Sequence, residues 1–425
     1  MRKKVLIRGP VLSRSGYGEQ SRFALRALRK HEDKFDLYLI NTQWGGTGWL
    51  ADDNEERKYI DFLLQKTYHF TQHKGELDAS LQVTIPNEWE KVAPYNVGYT
   101  AGIETTKVAP SWIEKSQQMD KIIVTSNHAK QSLVNTTYDI KNQQTSEIVG
   151  KAKVTTPVEP VGYPVKLTKK KSVKLDLETD FNFLAVSQWG PRKNIGSTVE
   201  WFVQNFKDNP NVGLVLKGFL KNNCTTDRLH SESALKASIP PDAKCKVYLL
   251  HGEMTDEEMI GLYSHPKIKC LISLTHGEGW GLPLFEASYT GLPILTTNWS
   301  GQTDFLNAPV KVRKKGKKNK YETIMKPHFA EVDYTLGQIQ KEAVWDGVLQ
   351  ADSMWCYAEE KSYKRALNSV YKDYDNYKDL AKKLKAHVRK EFEQEKQLDK
   401  FAREFMPSVF ENKSEEEQGL VVNFT

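Results

Sequence analysis

Short apolar runs, each followed by a segment of helical length, occur in two successive series along this chain of 425 residues. In the first half the runs are 5–7, 37–40, 81–85, 97–103 and 122–125. Phe23, Ala24, Ala27 and Leu28 fall at helical spacing behind the first run, and Trp112 and Ile113 mark the inner face of a helix before the last. In the second half the runs are 181–186, 212–216, 247–250, 270–274 and 293–296. Helices are predicted there over 195–206, 255–263 and 283–289, and Val199, Phe202, Val203 and Phe206 share one helical face. Parallel strands need crossovers of about a dozen residues, usually helical. Strands alternating with such segments imply parallel sheets covered on both faces. The pattern predicts two α/β domains of the doubly wound type.

Pro157, Pro160 and Pro164 interrupt regular structure and mark the join. Beyond residue 350 the pattern turns helical, over 363–371 and then as one long stretch over 380–405. The expected limits are 1–165 for the first domain, 166–385 for the second, and 386–425 for a C-terminal helix returning to the first domain, with a frayed tail. Ligands of open parallel sheets collect outside the carboxyl ends of the strands. The chemistry should therefore lie in the loops between each strand and the next helix.

Charge narrows the choice of partner. The net charge of +7 comes from 61 Lys and Arg against 54 Asp and Glu. Segments 166–174 and 311–320 hold twelve of those cations and no acid, leaving 49 basic against 54 acidic residues elsewhere. The body is thus mildly acidic, and an anionic partner should seek one of two patches. Segment 166–174 reads as solvated hinge. Hydrophobic residues make up 39% of the chain, enough to exclude a disordered one. No run approaches the roughly 18 apolar residues of a membrane span. The basic start at Arg2, Lys3 and Lys4 leads into only three apolar residues, too few for an export signal. Cys224, Cys245, Cys270 and Cys356 show no metal or redox spacing. A cytoplasmic protein with reduced thiols is expected.

The most informative loop follows the run 270–274 and reads Thr275, His276, Gly277, Glu278, Gly279, Trp280, Gly281, Leu282, Pro283, Leu284, Phe285, Glu286. Its glycines allow close approach of a ligand to the backbone. Pro283 suits the first position of a helix, whose free N–H groups would favour phosphate. Glu278 in the loop and Glu286 about a turn into the helix can accept hydrogen bonds from hydroxyls at two ends of one ligand. The segment EGWGLPLFEAS, followed by Gly291, Leu292 and Pro293, resembles the signature of family 4 glycosyltransferases, with Glu278 and Glu286 matching its Glu-x7-Glu spacing. The resemblance implies a GT-B fold, in which two Rossmann-like domains face each other across a cleft. It implies that Glu278 contacts the donor sugar and Glu286 the nucleotide ribose, with Gly279, Trp280, Gly281 and Leu282 completing the donor loop.

Other segments resemble the same family. In VSQWGPRKN (186–194), Lys193 matches the Lys that contacts the donor diphosphate, supported by Arg192, while Gln188 stands where Arg is common. Gly16 and Gly18 in GPVLSRSGYG (9–18) resemble the loop that approaches the diphosphate and acceptor. Its spacing is not GxGxxG, which argues against NAD. Glu104 in YTAGIETT (99–106) is expected to end a strand facing the cleft, as a third catalytic candidate beside Glu278 and Lys193. His276 reads as a hydrogen-bonded loop residue and Lys217 as structural or near the nucleotide base.

The resemblance implies retaining transfer of a sugar from a nucleoside diphosphate sugar to an acceptor hydroxyl, with no metal or other cofactor. It leaves glycan, lipid and protein acceptors open. The opening GPVLSRSGYGEQSR and the segments IPNEW and GYTAGIETT are similar to glycosyltransferases of large tailed phages. On that reading the acceptor is hydroxymethylated duplex DNA, held by Lys311, Arg313, Lys314, Lys315, Lys317, Lys318 and Lys320. A non-catalytic nucleotide-sugar-binding module and a nucleotide-sugar epimerase are the remaining alternatives.

Overall fold

β-Branched and aromatic runs bounded by turn residues give the strands, and amphipathic segments with side-chain caps give most of the longer helices. The computed structural model describes residues 2–73, 75–314 and 320–411. The first domain contains β1 (Lys3–Gly9), α1 (Gly16–Arg29), β2 (Phe35–Asn41), α2 (Glu55–Gln72), β3 (Ala79–Val83), β4 (Tyr95–Thr100), α3 (Pro110–Ser116), β5 (Lys121–Val124) and α4 (Asn127–Asn135). A hairpin of β6 (Thr137–Lys141) and β7 (Ile148–Lys153) then leads to β8 (Val158–Pro160). Six strands pair in the order β2-β1-β3-β4-β5-β8, all parallel. Val5 lies opposite Leu37 and Ala79 across this sheet, so three apolar side chains meet at one level.

The second domain repeats the plan with β9 (Phe181–Gln188), α5 (Ile195–Phe206), β10 (Val212–Phe219), α6 (Thr225–Ser238), β11 (Lys246–Leu250), α7 (Asp256–Tyr263), β12 (Ile268–Ser273), α8 (Leu282–Thr290), β13 (Ile294–Thr297) and α9 (Thr303–Leu306). The hairpin of β14 (Asn307–Arg313) and β15 (Tyr321–Pro327) follows, then β16 (Ala330–Val332), β17 (Tyr334–Gln338), β18 (Met354–Ala358) and α10 (Glu360–Lys372). The parallel order is β11-β10-β9-β12-β13-β16.

The C-terminal pattern forms two helices, not one: α11 (Tyr374–Glu391) and α12 (Gln394–Phe405). The break at Phe392 redirects the chain from the second domain to the first. Glu393 caps α12 by accepting from the Lys396 amide, and the Phe392 carbonyl accepts from the Val165 amide at 2.7 Å. Glu is an unusual cap, so the sequence carried no stop signal there. α12 lies on α1, with the Phe401 ring 5.2 Å from Phe23 and 4.9 Å from Tyr99. One apolar cluster consequently runs through both domains. Among the described residues no helix is long and apolar enough to cross a membrane.

Candidate active site

The carboxyl ends of β9 and β12 adjoin in the second sheet. From β9 the chain enters a short 3-10 turn, Pro191–Lys193, and passes through Asn194 at φ +49° into α5. From β12 it runs through the glycine-rich loop to Gly281, at φ +95°, where α8 begins. That left-handed conformation favours glycine. α8 starts one residue before Pro283, which therefore takes its second position.

These two loops place Arg192, Lys193 and Glu278 together. Lys193 Nζ lies 2.5 Å from Glu278 Oε1, and Arg192 Nη1 lies 3.0 Å from Oε2. Arg192 Nη1 also donates to the Gly277 carbonyl at 2.7 Å, and Nη2 stands 3.4 Å from Glu104 of the first domain. Two carboxylates and two cations form a neutral cluster across the domain boundary. Burial alone would raise the Glu278 carboxyl, but Lys193 and Arg192 outweigh it and hold it down to about 2. Burial and the adjacent Arg192 lower Lys193 despite Glu278. Burial opposes the charge on Arg192 as well, yet Glu104 and Glu278 strengthen its hold on the proton. Glu104 itself lies in the loop beyond β4, four residues past the strand end, rather than at the end of a strand as the sequence suggested.

The donor loop lies directly on the first domain. A Cβ at Gly279 would stand 2.5 Å from the Ala101 carbonyl oxygen. The Thr125 hydroxyl donates to the carbonyls of both Ala101, at 3.2 Å, and Gly279, at 3.0 Å. Ser300, after β13, accepts from the Glu278 amide at 2.9 Å and adopts φ +68°, a strained value for a residue with a side chain. Ser187, near the end of β9, has a shielded hydroxyl without a partner among the described residues. It borders a space of about 20 Å³ beside Lys193 and Glu278. That space is lined by second-domain residues alone, among them Ser187, Lys193, Glu278 and Gly281. Thr125, Ser187 and Ser300 all lie at or just beyond strand ends, which is the signal by which they were findable.

Glu286 projects from α8 toward α7, where its Oε2 accepts from the Tyr263 hydroxyl at 2.8 Å. Burial raises its carboxyl to about 7, against the pull of Lys166 and Tyr263. Lys166 is not free in solvent as its basic run suggested. Its ammonium bridges Glu19 of the first domain, at 2.8 Å, and Asp256 of the second, at 3.2 Å. Desolvation disfavours its charge, but the two carboxylates prevail and raise its pKa.

Several expected donor contacts are spent elsewhere. Trp280 is 4% exposed and packs among Tyr163, Phe285, Phe305 and Phe392, so its indole belongs to the core. Leu282 is the first residue of α8 and packs against the same cluster. Gln188 donates to the Leu220 carbonyl at 3.3 Å. The Gly18 amide donates to the capping hydroxyl of Ser15, whereas Gly16 stands open at the start of α1. His276 is buried against Trp355 and bonds the Cys356 carbonyl. Lys217 donates to the Gly252 carbonyl at 2.5 Å. Lys311 and Arg313 lie on β14 opposite Thr323 and Tyr321, and Lys314 faces Glu322 at 3.8 Å. Lys320 closes the described part of that hairpin, while Lys315, Lys317 and Lys318 lie outside the described residues. Among the described residues, no group of three or more His, Cys, Asp or Glu side chains is placed to hold a metal ion.

The two facing domains form a GT-B fold, and residues 168–311 match the family described as glycosyl transferases group 1. Together they make the chain a glycosyltransferase. HepE of Anabaena, solved with UDP and glucose, superposes with a TM-score of 0.57 at 12% identity, over 96% of this chain and 100% of that one. Sucrose-phosphate synthase of Thermosynechococcus elongatus gives 0.60 at 12% identity, over 96% and 99%. The lipopolysaccharide outer core galactosyltransferase WaaB gives 0.52 at 12% identity, over 96% and 99%. No curated protein matches the chain.

Proposed function

We propose that the protein is a family 4 enzyme that transfers a sugar, with retention of configuration, from a nucleoside diphosphate sugar to an acceptor hydroxyl. The observation carrying this reading is the clamping of Lys193 and Arg192 onto one carboxylate beside the start of α8. Two half-buried cations next to a helix N-terminus suit a diphosphate. On binding, the diphosphate would take over the cations now held by Glu278, freeing that carboxylate to accept hydrogen bonds from the donor sugar. As the bond from the anomeric carbon to the diphosphate oxygen breaks, its electron pair stays on that oxygen. Negative charge grows there, and Lys193 and Arg192 stabilise it more in the transition state than in the ground state. The acceptor hydroxyl attacks the same face of the sugar and passes its proton to the departing phosphate oxygen. Charge neutralisation by these side chains gives the chain a means of stabilising the leaving group with its own residues. Glu286 is assigned to the ribose hydroxyls and Glu104 to the sugar or acceptor.

HepE was solved with UDP-glucose as well as with UDP and glucose, which makes UDP sugars the first donors to test. The test incubates the full chain with a panel of nucleotide sugars and candidate acceptors, with product detected by mass spectrometry and its anomeric configuration read by NMR. Transfer with retention, lost in Lys193→Ala and Arg192→Ala variants that still fold, is the expected result. Inverted product, sugar isomerisation without acceptor, or unchanged turnover in both variants would overturn the proposal.

A further inference from the structure

The loop that follows β2 has no role in the donor chemistry, yet its composition is unusual. Residues 42–51 read TQWGGTGWLA and contain no charged side chain. The loop is fastened to the loop after β1. The Arg14 amide donates to the Gly48 carbonyl and the Leu50 amide to the Leu12 carbonyl, each at 2.8 Å, and Ser13 and Trp49 form an antiparallel bridge. The hydroxyls of Ser13 and Thr47 meet at 2.6 Å. The two loops at the strand ends of the first domain thus form one ledge.

This ledge borders the cleft. Arg14 reaches Glu253 of the second domain at 3.4 Å, and a Cβ on Gly48 would stand 3.1 Å from that carboxylate. Trp44 lies against Tyr17, with ring centroids 4.2 Å apart. The Tyr17 hydroxyl bonds Thr100 at 2.8 Å and accepts from the Ala101 amide at 3.3 Å. Ala101 is the residue on which Gly279 of the donor loop rests. One short series of contacts therefore joins the Trp44–Tyr17 pair to the donor loop. Farther out, Trp49 leaves 57% of its surface in water beside three glycines, so its ring is open to a ligand.

We infer that Trp44 and Trp49 form a platform for a neutral saccharide, stacking on a pyranose ring of the acceptor. The apolar C–H face of a pyranose matches an aromatic face, while its rim hydroxyls need only neutral partners such as Gln43 and Thr47. Charge selects against a polyanion here. Asp52, Asp53, Glu55 and Glu56 follow the loop at once, and Arg14 is committed to Asp52 and Glu253. A phosphate backbone would meet acids without an uncommitted cation on the ledge. The inference gives the proposed transferase a class of acceptor and rests on that reading for the site's role.

The test is saturation-transfer NMR of the full chain with maltose, cellobiose and lactose as probes, and a short DNA duplex as the anionic control. The expected result is transfer to pyranose ring protons in the native protein. Binding should weaken about tenfold in Trp49→Ala and Trp44→Ala, be largely restored in Trp49→Phe, and be undetectable for the duplex at physiological salt. Thermal melting verifies that each variant folds. Absence of binding by all three disaccharides, equal binding in folded alanine variants, or tryptophan-dependent duplex binding would overturn the inference. The donor assay separates the two readings. Turnover that needs Lys193 while the tryptophans are silent sinks only the platform; tryptophan-dependent sugar binding without any donor turnover sinks only the transferase mechanism.

Discussion

Replacing Glu278 by alanine should tighten the binding of UDP while slowing transfer. Glu278 is nearly enclosed, with 11% of its side chain exposed, and neutralises both Lys193 and Arg192. Two unit charges about 4 Å apart attract by roughly 4 kcal/mol at an effective dielectric of 20. A diphosphate binding the native protein must compete for these cations, and the variant removes the competitor. If about 1–2 kcal/mol of that attraction is recovered, UDP binds roughly 5–30-fold more tightly. Transfer should nevertheless fall by about 10²–10³-fold, or ~2.7–4 kcal/mol, because the sugar loses a partner aligned in the transition state. Stability moves the other way. A folded-state pKa of about 2 against an ordinary 4.5 represents on the order of 3 kcal/mol of stabilisation. Because the folded pKa is depressed, this contribution is fully present above pH 4.5 and is lost as pH falls to about 2. Without ligand the variant leaves Lys193 without its carboxylate and Arg192 with Glu104 alone, and should melt earlier. UDP should recover more melting temperature in the variant than in the native protein. Calorimetric titration with UDP, melting curves and steady-state transfer measure the three effects. Unchanged or weaker UDP binding by a folded variant, or unchanged turnover, would refute the idea that Glu278 and the diphosphate share the same cations.

Two further outcomes follow from the same geometry. Burial holds the Glu286 carboxyl at about 7, above its ordinary 4.5, so ionisation costs stability progressively as pH rises through that window. The ionised form is the better acceptor for ribose hydroxyls, so donor affinity should rise as pH passes upward through 7. Glu286→Gln should bind roughly tenfold more weakly at pH 8 and lose the pH step; a step that persists in this variant would place the titrating group elsewhere. In Gly279→Ala the new methyl would meet the Ala101 carbonyl at 2.5 Å and hold the domains apart. The variant should keep its melting temperature within a few degrees, since the contact is at the domain boundary, yet lose most transfer; full activity would show that this contact is not needed for turnover.

The strand–helix alternation was legible because side-chain period and turn residues act over a few positions. It gave two parallel α/β domains, and it directed attention to the loops carrying Glu278, Arg192, Lys193 and Glu104. The split between α11 and α12 was not legible, because apolar periodicity continues on both sides of Phe392 and a glutamate makes the cap. Nor did the motif containing Trp280 distinguish a donor contact from a core residue. Its neighbours Tyr163 and Phe392 lie more than a hundred residues away in either direction.

What the sequence determined by itself is local: where strands end, which glycines free the backbone, and which charges stand on which loops. What only the tertiary structure decided is which of those charges meet. Arg192 finds Glu278 across 86 residues because β9 and β12 are neighbours in the second sheet. Lys166 leaves an apparently solvated basic run because Glu19 and Asp256 converge on it from two domains. Burial then fixes the outcome, since a charge removed from water must find a partner or lose its proton. The sequence names the candidates for both, and the packing of one domain on the other chooses between them.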